Sequence, residues 1–525
     1  MKLDKTAYFK KTFNLYFNNK LNFIIFLLLL SIGIIFATIN HSIIDDAYIS
    51  FRYSNNLIEG NGLVYNSGEY VEGYSNFLWV IIIAFFMKFG FNPIIISKVL
   101  GILFFIGSLI FSYILSIKIF EKNTNKYIYS LIIISILVFN ISLIHFATTG
   151  LEHSLFIFLL LFSSYFMFIE KNPFIGNFGL ILLILTRNEG GLFFIFANVF
   201  YFLLINKHKI LIKKHIYSFI LSFLILLLYE IWRIIYYGSI FPNTFYAKAT
   251  VTSLSDGFNY LYGFLISYPI LILLIPFIVY SMFQKNKLIQ FFVISSLLYM
   301  VYLVKMGGDF MAYRLITQIF PLLIISGIFG FVCYSRKYFK KINLKYLFFI
   351  IIFLLTFISF VFGEKYTEVS LDVDLLNIQK HSNWEEIGIK LYGLNFPENT
   401  SIAITAAGAI PYYSKLNTLD MLGLNDATIS RQKQTNARPG HKKQATYGYL
   451  VEKQINFVVG HPQTMECNNA CENNGYDWFM PLEVFKSQKV FIIMNQTQCF
   501  RMFYLTKNSE LDNFLINHND FKVCK

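Results

Sequence analysis

The feature that most constrains this chain is a series of long apolar runs, separated by short polar loops, from residues 22–39 to 345–362. A helix needs about 20 apolar residues to cross a bilayer, and several of these runs approach that length. Charged residues make up only 14% of the chain, whereas soluble proteins carry about 25%. The sequence therefore predicts a polytopic α-helical membrane protein and argues against a large soluble one.

The apolar runs together predict about eleven membrane spans. The first run is long for the apolar part of a signal peptide and precedes no small-residue cleavage site, so we interpret it as a retained helix. The run at 77–89 is too short to span and predicts a helix in the membrane interface, anchored by Trp79. The remaining runs lie at 94–119, 127–146, 154–169, 174–186, 190–205, 217–235, 262–282, 288–304, 314–332 and 345–362.

Basic residues occupy every second loop between the runs. By the positive-inside rule, this alternation places the N-terminus in the cytoplasm and the C-terminus outside. It also accounts for the net charge of +14 without a nucleic-acid partner, for which the sequence shows no motif. The basic positions include Lys2, Lys5, Lys10, Lys11, Lys20, Lys118, Lys122, Lys126, Lys207, Lys209, Lys213, Lys214, Lys285, Lys287, Arg336, Lys337, Lys340, Lys341 and Lys345.

From about residue 365 the chain turns polar and contains no run of spanning length. Short apolar stretches alternate there with amphipathic helical patterns, which predicts one soluble α/β domain. The predicted organisation is a transmembrane domain at 1–364, with an external loop at 40–76, and an extracytoplasmic α/β domain at 365–525. The apolar stretches lie at 401–404, 455–459, 489–494 and 500–504, and the helical patterns at 383–393 and 442–454.

Four of the five cysteines, Cys467, Cys471, Cys499 and Cys524, fall in this last polar region. In an exported domain such clustering predicts two disulfides, and four cysteines allow three pairings. A zinc site is the alternative, but a Cys-x3-Cys spacing without a matching second pair is weak support for zinc.

Two adjacent carboxylates, Asp45 and Asp46, follow the first apolar run and open the external loop. The loop is rich in Gly, Asn, Tyr and acidic residues, and we interpret it as an ordered polar loop facing water. Acids that follow a helix oppose its dipole, and ionisable groups at the membrane are functional candidates by default. Either carboxylate could deprotonate an alcohol, bind a sugar hydroxyl or hold a divalent cation, whereas the alternative is a loop solvated by water.

Cations on the external side run against the positive-inside trend and so need an explanation. Arg52, Arg187, Lys248 and Arg314 are the candidates for binding a phosphate, because guanidinium and ammonium groups pair with phosphate oxygens. The phosphate expected at a membrane surface is the head group of a lipid. For any one of these cations the alternative is snorkelling to the interface.

Further polar residues emerge in the same external loops, where they can converge on one outward-facing cavity. Glu152 precedes a helix, where a carboxylate can simply favour the helix dipole. Asp309 follows a glycine pair and can equally cap a turn. The candidate substrate-binding residues are Glu72, Tyr74, Glu152, Glu189, Asn243 and Asp309.

Several of these segments, in this order, resemble motifs of the GT-C class of membrane glycosyltransferases, most closely the arabinofuranosyltransferases that cap cell-wall arabinan. The likeness covers most of the chain and is specific for the class rather than for the sugar. The segments are Asp45-Asp46-Ala47-Tyr48-Ile49, Val71-Glu72-Gly73-Tyr74-Ser75-Asn76, Thr149-Gly150-Leu151-Glu152, Thr186-Arg187-Asn188-Glu189-Gly190, Pro242-Asn243-Thr244-Phe245-Tyr246-Ala247-Lys248, Gly307-Gly308-Asp309, Ala407-Gly408-Ala409-Ile410-Pro411-Tyr412-Tyr413-Ser414 and Asp420-Met421-Leu422-Gly423-Leu424-Asn425-Asp426.

The resemblance implies transfer of a sugar, such as arabinofuranose, from a polyprenyl-phosphate donor to a cell-envelope glycan outside a bacterial inner membrane. It also implies that Asp45 and Asp46 are the catalytic residues. The four cysteines depart from the arabinan enzymes, so the acceptor can be a different one, such as lipopolysaccharide or another surface glycan.

Other functions remain open from the sequence. A polymerase or ligase that uses a diphosphate-linked glycan would share the same class of fold. A transporter usually shows repeat symmetry, which this chain lacks. A non-catalytic protein that binds lipid or glycan would not need the acidic pair.

Overall fold

The computed structural model describes residues 20–39, 42–248, 254–309, 311, 313–338, 342–371, 383–433, 442–469, 471, 480–495 and 497–524. The lysines predicted to be cytoplasmic before Lys20, together with Lys340 and Lys341, lie outside these residues.

Helices dominate the chain as far as residue 371, as the apolar runs predict. In chain order they are α1 (Lys20–Ile39), α2 (Asp45–Ile58), α3 (Phe77–Lys88), α4 (Pro93–Ile119), α5 (Lys126–Val138), α6 (Ile141–Phe146), α7 (His153–Ser164), α8 (Pro173–Thr186), α9 (Gly190–Ile205), α10 (Lys209–Tyr237), α11 (Asn243–Lys248), α12 (Leu254–Ser267), α13 (Ile270–Met282), α14 (Lys287–Met306), α15 (Phe320–Tyr338) and α16 (Ile342–Leu371). A π-helical turn, Tyr165–Ile169, extends α7, and a 3-10 turn, Ile316–Ile319, leads into α15.

The C-terminal region mixes strands with short helices. Its elements are α17 (Asn383–Gly393), β1 (Ser401–Ile404), α18 (Ala409–Ser414), β2 (Asn417–Asp420), α19 (Tyr447–Glu452), β3 (Phe457–Gly460), β4 (Thr464–Glu466), β5 (Gln488–Ile493), β6 (Gln498–Tyr504), α20 (Ser509–Asn517) and β7 (Phe521–Val523). Each predicted apolar stretch overlaps one of these strands.

The helices of a multi-pass membrane protein are present, but the predicted count of eleven spans is not confirmed. Among the described residues, five helices are long and apolar enough to cross a membrane, and a bent pair could add a sixth. The run at 127–146 is divided because Asn140 ends one helix and caps the next, accepting a hydrogen bond from Leu143 N at 2.9 Å. The run at 262–282 contains a bend of 105° before α13, next to Pro269, since the residue before a proline disfavours helical geometry.

The chain forms two compact units. Unit 1 comprises Met1–Ser42, Ile94–Glu230 and Ser253–Leu375, and unit 2 comprises Ile43–Pro93, Ile231–Thr252 and Leu376–Lys525. The sequence assigns the external loop at 40–76 to the membrane domain. Most of this loop instead belongs to unit 2, which also contains the C-terminal region.

In unit 1 the helices pack closely where small residues allow it. A Cβ added to Gly330 of α15 would collide with the backbone carbonyl of Phe277 in α13. Beside this approach, the rings of Phe331 and Phe348 stack with centroids 3.6 Å apart. Such contacts are typical of membrane helices, whose association depends on close van der Waals packing.

The sheet of unit 2 is mixed, with strand order β2-β1-β3-β6-β5-β7 and β4 paired to β6. Strand β1 lies parallel to both β2 and β3, whereas β6 lies antiparallel to β3 and β5. Apolar side chains on β1, β3, β5 and β6 form a buried core against α17 and α20. Helices α2 and α3 belong to the same unit.

Two expectations about the first external segment are corrected by this unit. Residues 45–58 form helix α2, and Ala47–Ser54 are buried in it, so this part is not a loop facing water. Trp79 of α3 is fully buried and is not an interfacial anchor, whereas Phe85 and Phe89 are the exposed aromatic residues there.

The two predicted disulfides are confirmed, and the structure selects the pairing. Cys467 bonds to Cys499, and Cys471 bonds to Cys524. The first joins the end of β4 to its neighbour β6, and the second ties the following turn to the residue after β7. The zinc alternative is thereby excluded for these four thiols.

Candidate functional site

Each unit contains one cluster of buried charged residues that the sequence singled out. The carboxylate cluster of unit 2 is centred on Asp45 and Asp46, and the arginine cluster of unit 1 is centred on Arg187 and Arg314.

Asp45 and Asp46 occupy the first turn of α2, after Ile44 in an extended conformation. At this end of a helix the dipole stabilises negative charge. The expectation that the pair opposes a helix dipole is therefore wrong, because the acids begin a second helix. Both side chains are partly buried, so the carboxylates are partly shielded from water.

Asp45 is fastened to the loop that follows β1. Its Oδ2 accepts a hydrogen bond from Gly408 N at 3.0 Å, and its Oδ1 accepts one from Ala409 N at 2.7 Å. Gly408 has to be glycine here, because a Cβ would collide with the backbone carbonyl of Asp45. The acidic motif of the first loop and the Ala-Gly-Ala motif of the C-terminal region thus form one structure.

Burial raises the pKa of Asp45 to about 7, and the adjacent charge of Asp46 adds to the increase. The hydrogen bonds from Ala409 and Gly408 act in the opposite direction, because they stabilise the carboxylate. Loss of solvation is the larger effect, so Asp45 changes its protonation near neutral pH.

Arg52, a predicted phosphate ligand, is instead surrounded by protein oxygens. Its Nε donates to the Tyr65 carbonyl at 2.7 Å, and Nη2 donates to Asn66 Oδ1 and to the Leu416 carbonyl, each at 2.9 Å. Nη1 donates to the carbonyl of Pro411. The guanidinium therefore holds α2 against two other segments, one with Tyr65 and Asn66 and one with Pro411 and Leu416, which is a positioning role.

Glu72 and Tyr74, predicted to contact substrate, are buried within unit 2. The Glu72 carboxylate accepts a hydrogen bond from Arg233 Nη1 at 2.7 Å. The hydroxyl groups of Tyr74 and Tyr237 lie 3.0 Å apart. Both residues therefore tie the external segment to the end of α10.

Asn243 organises the Asp420–Asp426 loop. Its Nδ2 donates to the carbonyls of Gly423 and Leu424 at 2.9 Å and of Asp426 at 3.1 Å. Lys248 lies at the end of the short helix α11 that Asn243 begins, and its side chain is partly buried.

Asp420, which the sequence analysis quoted only within a motif, is a buried carboxylate at the end of β2. It accepts hydrogen bonds from Leu422 N, Asn425 N and Asn425 Nδ2, each at 3.0 Å. Burial raises its pKa to about 6 against the effect of these bonds. Asp420 is the last residue of a short strand and precedes a turn-rich segment. An acidic residue at such a position is the sequence signal that could have identified it.

The arginine cluster of unit 1 lies where α8 ends and α9 begins. Arg187 is extended at this break, and its Nη1 donates to Glu152 Oε1 at 2.6 Å, while Nη2 donates to Glu189 Oε1 at 3.0 Å. Arg314 Nε donates to Asp309 Oδ2 at 3.1 Å. The structure thus pairs the two predicted phosphate-binding arginines of unit 1 with the predicted acids.

Burial disfavours the charged form of Glu152, but the positive charges of Arg187 and Arg314 outweigh it. The pKa of this carboxyl is therefore held below its usual range. Both arginines act on the same carboxylate, so the ion pairs form one electrostatic unit rather than two separate bridges.

Four polar atoms in the segments that carry Glu152, Arg187 and Arg314 are buried and have no hydrogen-bond partner among the described residues. They are Thr149 Oγ1, His153 Nδ1, Arg187 Nε and Gln318 Nε2. Thr317 Oγ1 lies 3.4 Å from His153 Nε2, so the 3-10 turn contacts the start of α7. An unpaired buried donor costs about 1–3 kcal/mol, so an anionic ligand that accepts these hydrogens would remove a penalty.

In the part of the chain that the structure describes, no three His, Cys, Asp or Glu side chains are grouped to hold a metal ion. The divalent cation that the acidic pair could bind therefore has no assembled set of protein ligands there.

Comparison with known proteins supports the fold class. The crystal structure of ArnT from Cupriavidus metallidurans in the apo state aligns with 91% of this chain and 97% of its own, with a TM-score of 0.54 and 10% identity. The structure of the same protein bound to undecaprenyl phosphate aligns over the same shares with a TM-score of 0.46 and 10% identity. The first of these alignments shows that this chain has an ArnT-like fold.

Sequence comparison is less informative. A family model described as a domain of unknown function (DUF8728) matches residues 376–504. No curated protein matches the sequence significantly. The comparisons show an ArnT-like fold, and they do not support the predicted arabinofuranosyltransferase family.

Proposed function

We propose that this protein transfers a sugar from a polyprenyl-phosphate donor to a glycan acceptor on the extracytoplasmic side of the membrane. The observation that carries the proposal is the acidic pair at the start of α2, held in place by the Gly408–Ala409 backbone within an ArnT-like fold. The two disulfides support an extracytoplasmic position for the C-terminal region, because such bonds persist in oxidising compartments.

Asp46 is assigned as the general base. Both oxygens of Asp45 accept hydrogen bonds from backbone N–H groups, and in this proposal Asp45 positions the pair while Asp46 takes the proton. The acceptor hydroxyl gives its proton to Asp46 as its oxygen attacks the anomeric carbon of the donor. The bond between that carbon and the phosphate oxygen breaks, and the polyprenyl phosphate leaves with the electron pair.

The donor phosphate is assigned to the arginine cluster. Arg187 Nε, Thr149 Oγ1 and Gln318 Nε2 offer buried hydrogens without partners among the described residues. Donors that reach the leaving phosphate would stabilise the charge that grows on it. Arg314 and Lys248 stay secondary candidates, and Arg52 is left out, because protein oxygens surround its guanidinium.

Glu189 and Asp309 act in this proposal as partners that hold the arginines, as Glu152 does. The identities of the sugar and of the acceptor stay predictions. For the sugar, the resemblance favours arabinofuranose. The competing prediction is a diphosphate-linked donor, which an enzyme of the same class would use.

The proposal is tested by transfer from a panel of radiolabelled polyprenyl-phosphate sugars to surface glycan in membranes that contain the full chain. We expect Asp46→Asn to lower turnover about 10²–10⁴-fold, as the loss of a general base typically does. Glu59→Gln is the matched control, because this acid ends the same helix and is well exposed.

Full turnover by the Asp46→Asn protein would refute the assignment of the base. No transfer from any monophosphate donor, with transfer from a diphosphate-linked glycan, would replace the proposed donor by the competing one.

A further inference from the structure

The sheet of unit 2 has a topological switch point that the proposed function does not yet use. Strand β1 is flanked by β2 on one side and β3 on the other, both parallel to it. The chain therefore leaves β1 in one direction and returns on its opposite side. In open α/β sheets, ligands bind in the crevice outside the carboxyl ends of strands at such a point.

Polar and aromatic side chains stand at this carboxyl edge. Thr405 follows β1, and its N–H donates to the Gly460 carbonyl at 2.9 Å. The Thr405 hydroxyl lies 3.4 Å from Nδ1 of His461, the residue after β3. The indole of Trp384 meets the His461 ring edge-on, with centroids 5.6 Å apart. One wall of the crevice is thus formed by a hydroxyl, an imidazole and an indole.

Helix α17, which carries Trp384, also packs against α18. Tyr413 OH donates to Glu385 Oε1 at 2.7 Å. Gly388 lets the two helices approach, because a Cβ there would lie 2.8 Å from Tyr413 Cβ. The ring of Tyr413 lies 5.6 Å from that of Tyr48 in α2.

These contacts lead back to the acidic pair. Tyr48 lies one helical turn beyond Asp45, and Asp45 is hydrogen-bonded to Gly408 in the loop that begins at Thr405. These contacts connect the carboxyl edge of β1 and β3 to the start of α2, and we call this region the switch-point crevice. Its members are Tyr48, Trp384, Glu385, Thr405, Tyr413 and His461.

We infer that the switch-point crevice binds an uncharged saccharide, the acceptor of the proposed transfer reaction, and the inference rests on that function. Trp384, Glu385, Tyr413 and His461 are partly exposed and accessible to a ligand, whereas Tyr48 and Thr405 are buried beneath them. The bound sugar would lie beside the carboxylates at the start of α2.

The chemistry of the crevice selects the ligand class. Aromatic rings offer apolar faces with polar edges, which suits the mixed surface of a sugar ring. The carboxylate, imidazole and hydroxyl groups can hydrogen-bond to sugar hydroxyls. None of the six members is Lys or Arg, and the one charged member is the carboxylate of Glu385, so the crevice offers no cation to a phosphorylated or acidic sugar.

The test is binding of the purified full chain, in detergent, to a printed array that pairs neutral saccharides with their phosphorylated and acidic counterparts. We expect binding to neutral members and at least a tenfold loss of binding for both Trp384→Ala and Glu385→Gln. The second variant is isosteric and guards against misfolding as the cause. Tyr392→Ala is the matched control, because Tyr392 is an exposed aromatic residue of the same helix, at 56% exposure.

Binding confined to phosphorylated or acidic sugars would overturn the inference, as would binding that both variants retain or the absence of any binding by the wild-type protein. Failure of the proposed function has a different signature. In that case the Trp384-dependent binding would remain, but no polyprenyl-phosphate donor would support transfer. Conversely, transfer with an unchanged acceptor KM in the Trp384→Ala protein would overturn the crevice and leave the proposed function standing.

Discussion

The two charged clusters are stabilised in different ways. In unit 2, Asp45 and Arg52 bond mainly to backbone groups of distant segments, such as Gly408 N and the Leu416 carbonyl. In unit 1, Arg187 pairs with the side chains of Glu152 and Glu189 and keeps one N–H unpaired among the described residues. The first arrangement fixes a geometry, whereas the second leaves hydrogen-bonding capacity for a ligand.

The largest expected effect comes from removing the cation of the arginine cluster. Arg187→Met leaves the buried Glu152 carboxylate without its closest partner, and breaking a buried pair in this way costs about 3–5 kcal/mol. The thermal midpoint in detergent should fall accordingly. The double variant Arg187→Met/Glu152→Gln should recover much of the loss, because it removes both charges. A midpoint as low as that of the single variant would contradict the ion-pair account.

Arg52→Met provides the contrasting result. It leaves several buried carbonyl oxygens without donors, at about 1–3 kcal/mol for each group that water cannot reach. Since most partners are backbone groups, no neutralised acid should restore the lost stability. The check is the thermal midpoint of Arg52→Met alone and combined with Glu69→Gln. Rescue by the second change would show that unit 2 depends on charge pairing as unit 1 does.

The pH dependence of stability should distinguish the clusters further. The pKa of Asp45 is about 7 in the folded chain, above its ordinary value of 3.8. Between these values the folded state binds more protons at this group than the unfolded state does. Its contribution to the free energy of unfolding therefore falls as the pH rises from about 4 to 7 and is constant above that range.

Asp45→Asn should remove this slope. The measurement is the difference in thermal midpoint between wild type and variant across that pH range, with Glu59→Gln as the control. A difference that does not change with pH would contradict the raised pKa.

The smallest effect is expected at the surface of unit 2, where Lys415 lies 3.3 Å from Glu59 and both side chains are well exposed. Exposed pairs contribute about 0–1 kcal/mol. Lys415→Ala should therefore leave the thermal midpoint nearly unchanged. This variant provides the reference against which the larger decreases in midpoint for the Arg52 and Arg187 variants are compared.

Much of the fold could be predicted because it depends on local patterns. The alternation of apolar residues located strands such as β1 and β6, and the pattern at 383–393 matches α17. Helix α2 was missed, because its apolar residues are interrupted by polar ones that are buried only through contacts with distant segments. The predicted count of eleven spans is not confirmed, and apolar composition does not show where Asn140 or Pro269 interrupts a helical run.

The candidate site could be predicted in its residues but not in its pairings. The sequence singled out Asp45, Arg187 and Glu152, since charged groups beside membrane segments are costly to place. It assigned Arg52 to the same role as Arg187, because both are external cations. The two arginines differ in their partners. Arg52 donates to the carbonyls of Pro411 and Leu416, which are distant in the sequence, whereas Arg187 pairs with the side chains of Glu152 and Glu189.

Hydrophobicity and periodicity are local properties, so the sequence alone was enough to predict a helical membrane protein with a C-terminal α/β region, and it favoured disulfides over a zinc site. Only the tertiary structure decided that Gly408 and Ala409 hold Asp45, that carbonyl oxygens surround Arg52, and that Trp384 and His461 share one crevice. Hydrogen bonds act over about 3 Å, so their partners are fixed only when the folded chain brings distant residues together.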